Sequence, residues 1–411
     1  MTTITQQDTV PAKKTESRLQ YSGHSYRIES VDLLRGLLMI LMALDHARDY
    51  FSNASIDPTD PIHSWPALFM TRWVTHLCAP GFILLAGASA HLQRQRKSAA
   101  TLSRSLLLRG LWLIFIEITV VSFGWSFGFG APIFQVIWVI GICMIMLAGL
   151  QWLPLPVVGL FAAAVIFGHN TLDYVHAGTL GNWSNAWRVL HERGWLTFQG
   201  HPIVLYGYPI IPWVGVMALG YCFGAVVKQA PRQRQRISAL LGITSLGAFT
   251  LLRFAHNYGD PGPGFEHLQT STQTVMSFFA VQKYPPSLHY LLATLGAVSL
   301  LFAIFDKAVE HGKMPRLRAF LDVYGRVPFF FYVVHIFVIH ALALTVAAAT
   351  KSNWRYWTTP DVVFTSHLSG WGYSLPTVYF VCIAVVLVLY PACAWFSRLK
   401  DRRRDWWLTY L

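Results

Sequence analysis

Charge is scarce in this chain. Only 12% of its 411 residues are Asp, Glu, Lys or Arg, about half the share a soluble domain carries. So few charges, spread along the whole length, cannot cover a water-facing surface, which excludes a soluble enzyme with an apolar core. Cysteine is scarce as well. Cys78, Cys143, Cys222, Cys382 and Cys393 are odd in number, lie in apolar segments and show no ligand spacing, so a disulfide framework or zinc site is not expected. A glycine-rich phosphate motif and metal-ligand clusters are missing too, which argues against a P-loop ATPase or a metallohydrolase. Gly259–Gly264 is a turn-rich loop without the helix a phosphate site needs. No internal repeat supports an inverted-repeat transporter. The polar start, Met1 to Ser30, has no apolar signal-peptide core and reads as a cytoplasmic tail.

What is present is apolar: 54% of residues, in recurring runs that reach the ~20 residues a bilayer demands. Windows bounded by charge, Pro or Gly predict ten spans: Val31–Phe51, Ala67–His91, Ser105–Phe127, Pro132–Trp152, Leu155–Gly168, Ile203–Val227, Ile237–His256, Leu288–Val309, Phe320–Thr350 and Leu375–Phe396. The ninth is long enough to tilt or break near Pro328. The expected fold is therefore an all-α, polytopic membrane helix bundle occupying residues 31–397, between the N-terminal tail (1–30) and a basic C-terminal tail (398–411).

Lys and Arg set the orientation. With ten spans, most of the 32 basic residues fall on one side: Lys13–Arg27, Arg94–Arg104, Lys228–Arg236, Lys307–Arg318 and Arg398–Arg404. The positive-inside rule makes that side, and both termini, cytoplasmic. The net charge of +13 is thus topology rather than a nucleic-acid groove, and no nucleic-acid partner is expected. Three long opposite loops, Asn53–Pro66, His169–Pro202 and Asn257–Pro286, are rich in Gly, Pro, Trp, Tyr and His. They read either as acceptor-binding surface or as interfacial aromatics anchoring helix ends.

Ionisable residues inside a span are costly and mark functional sites by default. The first span is richest in them. Asp32 and Arg35 are spaced to pair. Arg35 and His46, eleven residues apart, share a face about 16 Å apart along the helix. Asp49 can orient the His46 imidazole, and Asp45 with Arg48 forms a second cluster one step round. Arg72 and His76 lie one turn apart on the second span, expected beside Asp45, His46 and Asp49. The ninth adds Arg326, His335 and His340. His340 and His91 also fit a purely structural reading as interhelical hydrogen-bond partners, and Arg35 one as the partner of Asp32. A histidine oriented by a carboxylate is a minimal general base, and arginines at the other end of its helix suit an anionic donor. That combination suggests group transfer across the membrane.

The motifs Arg27-Ile28-Glu29-Ser30-Val31-Asp32-Leu33-Leu34-Arg35-Gly36 and Asp45-His46-Ala47-Arg48-Asp49 resemble the start of bacterial proteins related to heparan-α-glucosaminide N-acetyltransferase. Arg72-Trp73-Val74-Thr75-His76-Leu77-Cys78-Ala79-Pro80, Leu85-Ala86-Gly87, and Gly325-Arg326-Val327-Pro328-Phe329 with Tyr332 and His335 extend the likeness. The resemblance implies a multi-helix inner-membrane fold and an acetyl-CoA-dependent acyltransferase acting on an amine or hydroxyl of an acceptor, a sugar or glycan, on the outer side. It implies no metal, and leaves a homodimer open. Candidate catalytic residues are His46, Asp49, Asp45, His76 and His63; Arg35, Arg326 and His335 are candidates for the donor, and Arg72 and Arg48 for the acceptor. The lysosomal member carries its histidine in the first loop before a Ser-Trp pair, so His63-Ser64-Trp65 makes His63 a rival to His46. Two other readings stay open: a proton-coupled carrier relaying through Asp32, Asp45, His46 and His335, and a non-catalytic scaffold.

Overall fold

The computed structural model describes residues 28–256, 258–262, 264–359, 368, 370–403, 405 and 408; the basic residues Lys13–Arg27 and Arg404 lie outside them. The chain is mostly helical, and eight of its helical segments are long and apolar enough to cross a membrane. Helix α1 (Glu29–Phe51) is followed by α2 (Pro66–Thr75), α3 (Cys78–Arg94), α4 (Ala99–Ile116) and a short α5 (Ser122–Ser126). Then come α6 (Val136–Leu150), α7 (Leu155–Gly168) and the small α8 (Ser184–Leu190). The second half holds α9 (Ile210–Val227), α10 (Pro231–Ala255), α11 (Ser271–Phe279), α12 (Leu288–Glu310), α13 (Pro315–Arg326), α14 (Pro328–Ala349) and α15 (Leu375–Arg402).

Each of the ten expected spans has a helix. The eight apolar segments comprise α2–α3, α4–α5, α7 with its short extension, α9, α10, α12, α14 and α15. The other two differ for physical reasons: α6 is apolar but short, and α1 carries too many charges to count by hydropathy. Those charges are tolerable because α1 packs against α2, α3, α12, α13, α14 and α15, so they face protein instead of lipid. The periphery is the reverse. On α4, α7 and α10, side chains such as Leu111, Phe115, Leu160, Ile243 and Leu251 are exposed, and only 28% of the α4–α5 window is buried against 78% of α12.

Backbone approach is closest where glycines meet. A Cβ on Gly36 would collide with the Leu321 carbonyl, and one on Gly325 with the Asp32 carbonyl. These two glycines let α1 and α13 touch backbone to backbone, beside Arg35. The ninth span breaks as expected: α13 ends at Arg326, and Pro328, at the first helical position of α14, forbids continuation. The second span breaks too, at His76-Leu77 between α2 and α3. In the third, a wide π turn at Glu117–Val121 turns the fully buried Glu117 so that its carboxylate accepts from the Gln135 N–H at 2.7 Å, at the start of α6.

A three-stranded sheet departs from the all-α expectation. β1 (Ile133–Phe134), β2 (Gly194–Phe198) and β3 (His201–Tyr206) lie in the order β1-β3-β2, parallel between β1 and β3 and antiparallel between β2 and β3. The sixth span therefore starts at Ile210, not Ile203. The run Ile203–Leu205 is too short for periodicity to separate strand from helix, and Pro209 ends it.

The two ends of the bundle differ. At one, Asp306, with no exposure, accepts from Ser30 (2.8 Å), Arg234 and Gln235, tying α1 to α10 and α12, and Arg318 pairs with Glu29. Among the described residues, Lys228, Arg234, Arg318 and Arg326 gather at this end. At the other, the sheet stands beside the far end of α1, where Ile133, Leu205 and Tyr206 line a common cavity with Asp45 and His46, and α11 packs against α2.

Candidate functional site

Two cavities meet inside the bundle, and α1 runs past both. The first lies at the Arg35 end and has a volume of about 330 Å³. Its walls are apolar side chains of α1, α3, α4, α6 and α14, among them Met39, Trp112, Ile140 and Phe329, while Arg35, Arg109, Arg326 and Lys400 supply cations. Through Arg35, Ser89 and Gln93 it adjoins a wider recess of about 590 Å³ that also holds Arg96 and Lys228. The second cavity, about 220 Å³, lies at the His46 end, under the sheet and the loop before α12. Phe82 and Val136 line both cavities, so the partition between them is about one side chain thick.

Arg35 is held by three acceptors: Asp32 Oδ1 at 2.9 Å, the Gly325 carbonyl at 3.2 Å and Ser89 Oγ at 3.2 Å. The Asp32 pairing expected from the i, i+3 spacing is present, and the Arg35 side chain stays 21% exposed and lines both recesses. Arg326 also lines the first cavity but is clamped by Asp401 from α15.

His46 takes an unexpected partner. Its Nδ1 is 2.7 Å from Nε2 of His335, the two rings nearly parallel. His335 Nδ1 lies 2.8 Å from the Phe331 carbonyl. A carbonyl can only accept, so His335 carries its proton on Nδ1; its Nε2 then accepts from His46 Nδ1–H when both rings are neutral. Fixing the proton on Nδ1 leaves Nε2 of His46 as a lone pair, on a ring that lines the second cavity. That ring packs nearly perpendicular to Trp125, with 4.7 Å between centroids. This is the orientation a carboxylate was expected to provide, supplied instead by a second histidine.

Asp49 does not orient His46. It accepts from Arg48 Nη2 at 2.5 Å, because the shorter reach to the adjacent guanidinium wins. Asp45 receives both Arg48 at 2.9 Å and Arg72 at 2.6 Å, with Thr75 Oγ1 at 2.9 Å. The expected approach of Arg72 to Asp45 is thus met. His76 is not part of this group: its ring is buried against Tyr290, 5.3 Å between centroids, and does not line the cavity. It sits at the α2–α3 break, where Thr75, Cys78 and Ala79 face the cavity instead. His63 pairs with Asp60 at 2.6 Å on an exposed loop and lines neither cavity; hydrogen bonds from His63 and the Ile62 N–H hold the Asp60 carboxyl below its ordinary value despite partial burial. His335 was expected on the donor side and stands against His46 instead. His340 is locked between the Gly124 and Trp357 carbonyls, the structural role anticipated for it.

Several lining residues went unread. Arg109 interrupts the apolar run of α4 and was detectable by the same rule that flagged Arg35. Lys400 lies in the basic tail, which continues as helix α15. Lys283 and Tyr284 come from the loop before α12. Burial raises the Tyr284 phenol, but the Lys283 ammonium and the Arg72 guanidinium outweigh it and bring the group below its ordinary value.

A profile of the catalytic domain of heparan-alpha-glucosaminide N-acetyltransferase matches residues 27–254, more than half the chain. The chain belongs to that family. The matched segment runs from the start of α1 nearly to the end of α10, so Arg35, His46, Arg48 and Arg72 fall within it, whereas Lys283, Arg326, His335 and Lys400 lie beyond. Comparison with curated proteins finds no match. Family membership and the eight apolar segments make this an integral membrane protein of an acetyltransferase family.

Proposed function

We propose that the protein transfers an acetyl group from acetyl-CoA, held at the Arg35 end, to an amine or hydroxyl of a sugar-like acceptor held at the His46 end. The observation that carries this reading is the pair of cavities separated by Phe82 and Val136, with a cation-rimmed apolar recess on one side and an oriented imidazole on the other. The donor suits the first recess: Arg35, Arg109, Arg96 and Lys228 can answer phosphates, and the apolar walls can take a thin aliphatic arm. Bound there, acetyl-CoA supplies an activated acyl carbonyl. His46 Nε2 accepts the acceptor's proton as its nitrogen or oxygen bonds to that carbonyl carbon; the C–S bond breaks, and the departing thiolate takes the proton from His46 to leave as free CoA. His335 keeps the His46 Nε2 lone pair exposed by holding the other proton on Nδ1. Arg72 and Arg48, anchored by Asp45, fix the acceptor wall. By the positive-inside rule the Arg35 end is cytoplasmic, so donor and acceptor arrive from opposite faces, and in a bacterium the membrane is the inner one.

Acetyl-CoA binding and consumption by purified protein in detergent, with amino sugars and hydroxylated glycans as acceptors, test the proposal. Acceptor-dependent CoA release that disappears in His46→Ala is expected. Protein that neither binds nor consumes acetyl-CoA, yet supports solute uptake driven by a pH gradient, would turn the His46–His335 pair into a proton relay of a carrier.

A further inference from the structure

Glu117 is a carboxyl that the transfer chemistry leaves unused. It has no exposure, and among the described residues no cation pairs with it. A carboxyl buried in this way is costly, so what it holds is informative. The π turn Glu117–Val121, a helix form frequent at functional sites, brings its Oε1 to 2.7 Å from the Gln135 N–H. The chain just before Gln135 is pinned as well. Ser122 Oγ donates to the Glu117 carbonyl at 2.7 Å and accepts from the Ile133 N–H at 3.1 Å. From the sheet, the Gly207 N–H donates to the Phe134 carbonyl at 3.1 Å, where β1 pairs with β3. The backbone at Gln135 is thus fixed from two sides.

The Gln135 side chain is spent on none of this. It occupies the N-cap position of α6, yet no side chain caps that helix. Its Nε2 is buried without an acceptor, and a buried donor left unfilled costs stability. Gln135 lines the cavity that holds His46, and Val136, next in the chain, lines both cavities. A rigidly held residue therefore carries an unengaged amide beside the partition, on the His46 side of it. The terminal torsion of a glutamine is soft, so the amide N–H can turn to meet a ligand there.

We infer that Gln135 is a further catalytic residue, whose side-chain amide donates a hydrogen bond to the acyl carbonyl oxygen during transfer, and that Glu117 is the residue positioning it. This rests on the proposed transfer from the Arg35 recess to the His46 cavity, in which the reacting carbonyl passes between Phe82 and Val136. As the acceptor's nitrogen or oxygen bonds to the carbonyl carbon, the π electron pair of the C=O moves onto its oxygen. The Gln135 N–H answers that charge and keeps its own proton. The pair returns to the carbonyl when the C–S bond breaks. Donors aimed at an oxygen that gains charge stabilise it most where water is excluded and the donor is held in place beforehand.

Infrared difference spectra of carbonyl-labelled acetyl-CoA bound to the full-length protein in detergent, without acceptor, test the contact directly. The bound carbonyl stretch is expected below that of free acetyl-CoA in wild-type protein, and back near the free value in Gln135→Leu. In turnover, Gln135→Leu should lower kcat on the order of a hundredfold while both KM values stay within about twofold, a split that a merely structural residue would not give. Gln135→Asn, which keeps an amide, should recover part of the rate. Glu117→Gln, which can still accept from the Gln135 N–H, should stay close to wild type, and Glu117→Leu should lose kcat without a change in KM. A bound carbonyl stretch that is the same in wild type and Gln135→Leu overturns the inference and leaves the transfer reaction standing. So does wild-type kcat in Gln135→Leu. Wild-type protein that releases no CoA with any acceptor overturns the transfer reaction, and this inference with it.

Discussion

The recess at the Arg35 end is walled by apolar side chains with cations at its margins, whereas the cavity at the His46 end is lined by charges that largely answer one another. On the proposed function, the first takes a long amphipathic donor whose phosphates meet Arg35, Arg109, Arg96 and Lys228 and whose remainder contacts Met39, Trp112 and Phe329. The second is polar and tightly specified, with Asp45 receiving two guanidiniums and a threonine hydroxyl. A single helix, α1, furnishes the key residue of each. On the proposed function, the contrast is one of adaptability on the donor side against preorganisation on the acceptor side.

The largest effect should come from breaking the second cavity while leaving the first intact. Removing a general base costs about 10²–10⁴-fold in rate, so His46→Ala is expected to lower kcat by about a thousandfold. Acetyl-CoA affinity, measured by equilibrium binding, should stay within about twofold of wild type. A parallel collapse of donor binding would mean that the two cavities are not separate. Asp45→Ala leaves Arg72 without its counter-charge beside Arg48, which keeps only Asp49, and breaking a buried ion pair in this way costs about 3 kcal/mol or more. Its expected signature is a fall in thermal midpoint together with lost activity, read by a thermal shift assay, which His46→Ala should not show.

Arg35→Gln tests the other end. The guanidinium contributes charge-assisted hydrogen bonds, and its loss should weaken acetyl-CoA binding by about tenfold to a hundredfold, with the acceptor KM little changed. His335→Phe is expected to be smaller than His46→Ala but larger than a packing change. It leaves His46 present yet frees its proton to sit on either nitrogen, so kcat should fall about tenfold to a hundredfold, with His335→Gln, which can still accept through its side-chain oxygen, partly restoring it. Equal activity in wild type and His335→Phe would remove the histidine pair from the chemistry.

How much of this was legible differs between the two cavities. Arg35, Asp32 and His46 could be read because they sit on one helix, where spacing alone decides which side chains share a face. The Arg72–Asp45 contact followed from adjacent helices meeting at one end. The His46–His335 bond joins residues 289 positions apart, and nothing in local spacing announces it; the nearer Asp49 was the better local candidate and is taken by Arg48. His76 misled because its depth was right but its direction was not: the α2–α3 break turns the ring toward Tyr290. The sheet was hidden for a related reason, since Ile203–Leu205 is apolar enough to extend a span and only its pairing with Ile133 and Trp195 makes it a strand. Lys283 belonged to a long loop whose residues acquire meaning only once it folds over α1.

The smallest expected effect addresses the partition itself. Phe82 lines both cavities and is half-buried, so Phe82→Ala should cost less stability than the 3–5 kcal/mol typical of a fully buried phenylalanine. What it removes is the side chain between the two spaces. Water that enters the polar His46 cavity would then reach the acyl carbonyl held in the apolar recess, and His46 could activate that water as readily as an acceptor. Acetyl-CoA hydrolysis in the absence of any acceptor, followed as free thiol, is therefore expected to rise severalfold, and the rise should vanish in the Phe82→Ala, His46→Ala double variant. If Phe82→Leu, which keeps apolar bulk at the site, leaks as much as Phe82→Ala, the barrier to water lies elsewhere, and the separation of donor from acceptor must be maintained by Val136 or by the backbone of α3.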